Sequence, residues 1–271
     1  MIVWKIARIH PIIGHLLTFA QIRKYRSFED SQFLWDIRGD RQDALLDAGQ
    51  HLHTEISRLT HVHRYDFATS LIKRNDIGLV LDLASGLGYG SKLIQQYINC
   101  VYVGMDIDLR SVHYASKYYN QSARHFFLAN ALSLPLKNGV FDCIISFETM
   151  EHLSSPTNFL NELQRITKNQ SHIIISVPYN EKSTTISGEW NQSKDYPHMN
   201  TYTLESFKEI LTRTFVNQTI DIYIQNPTTS SSDNRNTNVP DPVNDQQKRF
   251  VKNPDGEYIS DDCPAMVAHI Y

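Results

Sequence analysis

The chain contains little cysteine, no long uninterrupted apolar run and no excess of either charge. Its 271 residues include three widely spaced cysteines, which fit neither a disulfide framework nor a thiolate metal site and favour a reducing compartment. Lys and Arg number 26 against 29 Asp and Glu, a net charge of -3 that offers no general attraction for nucleic acid or anionic lipid. The composition, 41% apolar and 20% charged, predicts an ordinary cytoplasmic globular protein.

Residues 1–46 are predicted to form an N-terminal helical or peripheral segment. The apolar stretch from Ile9 to Ala20 superficially suggests a signal peptide, but His10, Pro11 and Gly14 interrupt it, and it is too short to cross a bilayer. Basic residues lie around it, so contact of residues 1–26 with a membrane surface or a partner is an alternative role. A helix covering the main domain is the simpler interpretation.

Residues 47–271 show alternating strand and helix patterns and are predicted to form one domain. Short apolar runs of the kind found in buried strands begin at Gly78, Val101, Cys143, Ile173 and Ile220. The helix-like stretches between them are 91–98, 109–119, 158–167 and 204–215. Such alternation predicts an α/β fold, a mostly parallel sheet with helices on both faces, and ligands bound at the carboxyl ends of the strands.

The interval 226–262 is rich in Asn, Asp, Ser, Thr and Pro and has hardly any apolar pattern. Residues 265–271 again resemble a strand. We therefore interpret 226–262 as a polar insertion or lid that precedes the last strand.

The loop from Leu81 to Gly90 carries three alternating glycines at a strand-to-helix junction. Glycine allows the backbone to approach a ligand closely, and the helix that follows offers free N–H groups to it. Asp106 ends the next apolar run, twenty positions after Gly86, where a carboxylate can accept hydrogen bonds from both hydroxyls of a ribose. This combination predicts an adenosine-containing cofactor.

Four segments, in order and spacing, resemble the motifs of the class I S-adenosylmethionine-dependent methyltransferases. They are Val80–Gly90 with Asp82 in the acidic position, Val103–Asp108, Asn130–Pro135 and Phe141–Phe147. The resemblance implies a Rossmann-like, seven-stranded sheet and S-adenosylmethionine as cofactor. The residues it implies for cofactor binding are Asp82, Ala84, Ser85, Gly86, Gly88, Asp106, Ile107, Asn130, Ala131 and Phe147.

Two positions depart from the family pattern. Ala84 stands where the first glycine of the loop is usual, and Asn130 stands where Asp is commoner. Alanine adds one methyl group, and the Asn130 amide can still accept and donate hydrogen bonds at an adenine edge. Cofactor binding is therefore expected to survive both changes.

The segment Phe147–His152 follows the fourth strand, where the methyl group of the cofactor should emerge. On a helical turn, Glu148, Glu151 and His152 would share one face, and His198 could join them as a fourth ligand of a divalent cation. The set resembles that of the small-RNA 3′-terminal 2′-O-methyltransferases, and a similar stretch occurs among polysaccharide-associated methyltransferases of the methyltransferase-11 type.

Two other roles for these residues stay open. Without Mg²⁺ or Mn²⁺, His152 or His198 could act as a general base, with Glu148 beside them. Alternatively, Glu148 and His152 form no more than a helical pair.

The preferred prediction is O-methylation of a sugar hydroxyl in a glycan, glycolipid or glycosylated metabolite, with a sugar-containing or small-molecule acceptor and no DNA. RNA 2′-O-methylation is the alternative, but it requires a basic path that the sequence does not display. A cofactor-binding module without catalysis is a third hypothesis. The fold alone does not choose among acceptors.

Overall fold

The computed structural model describes residues 52–72, 77–179, 198–226, 250–252 and 265–271. The predicted N-terminal segment 1–46 lies outside these residues, as does the predicted insertion apart from Asn226 and 250–252. No helix in the described ranges is long and apolar enough to cross a membrane.

The described part of the chain contains five α-helices around one sheet. Helix α1 (Leu52–Leu71) precedes the sheet, and α2 (Gly90–Gln95), α3 (Leu109–Tyr118), α4 (Pro156–Ile166) and α5 (Leu204–Thr214) connect its strands. A short 3₁₀ helix, Met150–His152, follows the fourth strand. Polar residues cap these helices: Asp108 accepts hydrogen bonds from the first turn of α3, Ser155 does so for α4, and Thr203 closes a capping box on α5.

Within the described ranges, the central sheet has eight strands in the order β3-β2-β1-β4-β5-β8-β6-β7. The strands are β1 (Leu79–Leu83), β2 (Val101–Asp106), β3 (Arg124–Leu128), β4 (Phe141–Phe147), β5 (Thr167–Val177), β6 (Ile220–Gln225), β7 (Phe250–Lys252) and β8 (Ala265–Ile270). The first five are mutually parallel, and β8 lies antiparallel between β5 and β6. The strand order reverses between β1 and β4, so a ligand crevice is expected at their carboxyl ends.

Successive residues of the buried strands pack on opposite faces of the sheet. In β1, Leu79, Leu81 and Leu83 belong to the core beneath α4 and α5. Val80 belongs to the core formed with α1, α2 and α3. Asp82 shares the Val80 face, which explains how a side chain of α1 can reach it.

The predicted Rossmann-like α/β class is confirmed, but the described residues form a sheet of eight strands instead of seven. Two strands were not predicted from the sequence. β3 begins with Arg124 and His125 and is buried at two of its five residues. β7 is three residues long, pairs with the edge of β6, and buries Phe250 alone. Neither has the continuous apolar run by which the other strands were recognised.

Candidate functional site

The glycine-containing loop after β1 has three residues in the left-handed region, namely Ala84 (φ 63°), Gly86 (φ 53°) and Gly88 (φ 86°). The backbone N–H groups of Ala84 and Ser85 donate to the Met105 carbonyl at 2.7 and 3.0 Å, which fixes the loop to the end of β2. Ala84 therefore occupies a conformation that costs a non-glycine residue about 1–2 kcal/mol. The absence of glycine at this position affects the backbone as well as adding a methyl group.

Asp82 lies beneath this loop, 1% exposed, and is held by two tyrosines. The Tyr65 hydroxyl of α1 donates to Asp82 Oδ2 at 2.9 Å, and the Tyr102 hydroxyl of β2 donates to the same oxygen at 2.5 Å. Burial raises the pKa of Asp82 to about 6, although both phenol hydrogen bonds oppose the rise. Burial therefore makes the ionised form of Asp82 less stable than an ionised aspartate in water.

Asp106 joins the loop to the end of β2. Its Oδ2 accepts the Gly86 N–H at 2.8 Å, and its Oδ1 accepts the Asp108 N–H at 2.8 Å. Burial raises its pKa despite these bonds. Each carboxylate oxygen has a second lone pair, so both ribose hydroxyls could still donate to it. The next residue, Ile107, is 43% exposed and offers an apolar surface beside that position.

The predicted adenine-side residues follow β3. Asn130 Oδ1 accepts the Leu132 N–H at 2.9 Å, so this amide oxygen already caps its own turn. Ala131 is buried. The Asn130 side-chain oxygen therefore already accepts one backbone hydrogen bond, which its sequence position did not reveal.

Glu148 begins the turn after β4 in a left-handed conformation, with φ of 48°. Its carboxylate Oε1 lies 3.3 Å from Nη1 of Arg64 and accepts the Ser176 hydroxyl at 2.8 Å. The Arg64 Nε donates to Gln225 Oε1 at 2.7 Å. The expectation that Glu148 lies on a helical turn with Glu151 and His152 is wrong, because the turn begins at Met150 and Glu148 has left-handed backbone geometry.

Three of the four predicted cation ligands do converge. Glu151, His152 and His198 each offer one ligand atom, and these atoms lie within 4.8 Å of one another. The two imidazole rings are edge to face with centroids 4.8 Å apart, and His152 Nε2 lies 3.8 Å from Glu151 Oε1. Glu148 is not part of this group among the described residues.

Glu151 has an unusual environment. It is 1% exposed, and neither carboxylate oxygen receives a hydrogen bond from the described residues. Burial, reinforced by the charge of Glu148, raises its pKa well above the ordinary value. The buried Tyr202 hydroxyl also lacks a hydrogen-bond partner in the described ranges, and burial, followed by the Glu151 charge, raises the Tyr202 pKa. Buried polar atoms of this kind usually have an additional partner.

The segment that follows β5 is attached to this turn by its backbone. The N–H groups of Met199 and Asn200 donate to the Glu151 carbonyl at 2.7 and 2.9 Å, and the Asn200 amide donates to the Leu153 carbonyl at 2.7 Å. This explains how His198, 46 positions from His152 in the chain, comes to lie beside it.

Sequence reasoning missed Tyr102 and Ser176, which lie within apolar strand runs. A polar residue on a strand otherwise buried on both faces is the one available signal.

Residues 81–175 match the model of a methyltransferase domain. A probable S-adenosylmethionine-dependent methyltransferase of Mycolicibacterium smegmatis is 31% identical over 100 residues, covering 36% of this chain and 37% of the relative. The tocopherol O-methyltransferase of Arabidopsis thaliana is 27% identical over 140 residues, covering 50% and 40%. The matched region thus spans less than half the length of each of these relatives.

A crystal structure of an S-adenosylmethionine-dependent methyltransferase from Mesorhizobium loti superposes with a TM-score of 0.54 at 12% identity, over 75% of this chain and 95% of that one. At this identity the likeness establishes the fold alone. Residues 81–175 thus match a methyltransferase domain, and the fold is that of a solved S-adenosylmethionine-dependent methyltransferase.

Proposed function

We propose that this chain transfers the methyl group of S-adenosylmethionine to a hydroxyl of a sugar-containing acceptor, such as a glycan, a glycolipid or a glycosylated metabolite. The observation that carries the proposal is the convergence of Glu151, His152 and His198 at the turn that follows β4. The glycine-containing loop and Asp106 follow β1 and β2 at the same edge of the sheet. Cofactor and acceptor groups would therefore meet there.

On the cofactor side, the loop residues 84–88 would lie against the methionine part, Asp82 would attract its ammonium group, and Asp106 would accept the ribose hydroxyls. Ile107, Asn130 and Ala131 would surround the adenine. Phe147, 8% exposed, would border the methyl group. Fixed placement of the sulfonium beside the acceptor oxygen supplies the main acceleration expected of such a transfer.

On the acceptor side, transfer requires loss of a hydroxyl proton. The acceptor oxygen attacks the methyl carbon, the carbon–sulfur bond breaks, its electron pair remains on sulfur, and the proton passes to a base. An imidazole accepts protons near neutral pH, and the His152 side chain is 25% exposed. His152 or His198 is the proposed base. Glu148 would act through its ion pair with Arg64 by holding the turn in place.

The same residues also fit a divalent cation. A buried carboxylate without a hydrogen-bond donor among the described residues, next to two imidazole rings, is a donor set suited to Mn²⁺ or Mg²⁺. Glu151, His152 and His198 would hold it, and Glu148 would be withheld by Arg64. A bound cation would polarise the acceptor hydroxyl as a Lewis acid.

A sugar-containing acceptor is favoured by the resemblance of Phe147–His152 to the polysaccharide-associated methyltransferases. The net charge of -3 favours it over RNA, whose binding depends on neutralising several phosphates.

The test is transfer of labelled methyl from S-adenosylmethionine to separated glycan and lipid, RNA, protein and metabolite fractions, with and without a chelator. We expect label in the glycan and lipid fraction. The substitutions His152→Ala and His198→Ala should reduce transfer about 10²–10⁴-fold without changing the affinity for the cofactor. Replacement of the exposed His113 of α3 by alanine is the matched control.

Each outcome discriminates between hypotheses. Label confined to RNA would replace the sugar proposal with the RNA alternative, and cofactor binding without label in any fraction would favour a module without catalysis. Direct titration with Mn²⁺ tests the cation separately: binding that His198→Ala weakens supports it, and the absence of binding to the wild-type protein refutes it.

A further inference from the structure

The carboxylate of Asp82 is bonded asymmetrically. Both phenol hydroxyls, from Tyr65 and Tyr102, donate to Oδ2, while Oδ1 receives no hydrogen bond from the described residues. We infer that Tyr65 and Tyr102 are positioning residues that fix Asp82 as a charged acceptor, with Oδ1 left to receive the ammonium group of the cofactor. The inference rests on the proposed function, because it concerns the amino-acid end of S-adenosylmethionine.

The packing around Asp82 shows why two donors are required. The side chain belongs to the sheet face covered by α1, and Gly90 at the start of α2 is so close that an added Cβ would lie 2.7 Å from Oδ2 and 2.5 Å from the Tyr65 ring. Bulk water has little access at 1% exposure. A carboxylate in such a place needs hydrogen bonds to remain ionised.

The tyrosines themselves are held firmly. The Tyr65 ring is edge to face with Phe147 at 5.1 Å and with Tyr89 at 5.6 Å, and Tyr102 is fully buried. Burial followed by the Asp82 charge raises the pKa of both phenols, so both remain protonated donors. Among the described residues, both hydroxyls donate to Asp82 Oδ2.

The other titratable groups that act on Asp82 do not supply this stabilisation. Asp106 at the end of β2 raises its pKa. Burial, followed by the Asp82 charge, raises the pKa of Tyr89 at the start of α2. Burial also raises the pKa of Cys143 in β4, so both groups are neutral at physiological pH. The two phenol hydrogen bonds are the interactions that lower the Asp82 pKa.

The experiment measures calorimetric binding of two probes to the full chain between pH 5 and 7.5. S-adenosylmethionine carries the ammonium group, and 5′-methylthioadenosine has the same nucleoside without the amino-acid part. Wild-type affinity for S-adenosylmethionine should fall as the pH drops through about 6. In Tyr65→Phe and Tyr102→Phe the midpoint of this fall should move upward by about one pH unit. Binding of 5′-methylthioadenosine should not change.

The matched control is Tyr119→Phe, which removes the hydroxyl of another buried tyrosine and should leave the midpoint unchanged. Unchanged midpoints in both test variants, or equal shifts for both probes, would overturn the inference. If wild-type protein binds neither probe at any pH, the proposed function fails as well. If Tyr102→Phe does not fold, Tyr65→Phe decides the question alone, since it makes the same prediction.

Discussion

Replacement of Asp82 by asparagine should stabilise the free protein while it impairs the cofactor site. Asparagine resembles the protonated acid in shape and charge, and its side-chain oxygen can accept the hydroxyls of Tyr65 and Tyr102 as Oδ2 does. The substitution removes a buried negative charge without leaving the tyrosines unpaired. Residues placed for function are often destabilising in this way.

The magnitude follows from the pKa of Asp82, which burial raises from 3.8 to about 6. Between these values the folded state holds a proton that the unfolded chain has lost, so stability falls as the pH rises through this window. The loss of stability caused by ionising Asp82 is absent below about pH 4 and complete above about pH 6. At about 1.36 kcal/mol per pH unit, this rise in the pKa lowers the free energy of unfolding by roughly 3 kcal/mol at pH 7.

The assay is denaturant unfolding of both proteins, without cofactor, at pH 4.5 and pH 7. The Asp82→Asn variant should exceed the wild type by about 3 kcal/mol at pH 7, or about 6–12 °C in melting temperature, and by much less at pH 4.5. Other ionisable groups titrate in both proteins and largely cancel. A variant that is equally or less stable at pH 7, or an advantage that does not depend on pH, would refute the reasoning.

Three further predictions concern packing and backbone, each measured by equilibrium unfolding. Arg64→Met leaves Glu148 without its cation, and these side chains are 3% and 22% exposed, so the free energy of unfolding should fall by about 3–5 kcal/mol. The control Arg213→Met removes an Arg side chain that is 77% exposed and should lower the free energy of unfolding by less than about 0.5 kcal/mol. Ala84→Gly should gain about 0.5–1 kcal/mol by relieving φ of 63°. Gly104→Ala places a Cβ 2.5 Å from a phenylalanine ring of β3 and should cost about 1–3 kcal/mol.

The strands of the central sheet could be predicted where burial on both faces imposes a continuous apolar run. The predicted run beginning at Gly78 corresponds to Leu79–Leu83, and the predicted helix 204–215 corresponds to Leu204–Thr214. These elements could be predicted because the spacing of apolar residues along the chain indicates a buried strand or a helix without knowledge of the tertiary structure. The position of the glycine-containing loop between β1 and α2 followed for the same reason.

The arrangement of the acceptor side could be predicted in part. His198 was predicted as a possible fourth ligand, and its ring lies beside that of His152 with the centroids 4.8 Å apart. The orientation of Glu148 was not predictable from spacing, because it depends on a left-handed backbone and on Arg64, 84 positions earlier in the chain. The tertiary structure determines which groups a charged side chain contacts, and helical spacing within a six-residue segment does not predict those contacts.

Helix α1 connects the two halves of the candidate site through consecutive residues. Tyr65 donates to Asp82 on the cofactor side, and Arg64 pairs with Glu148 on the acceptor side. Adjacent residues of an α-helix point about 100° apart, so one helix packed across the ends of β1 and β4 can reach both carboxylates. The docking of α1 is therefore expected to affect both sides together, and the loss of either contact should also weaken the alignment of methyl donor and acceptor on which the proposed transfer depends.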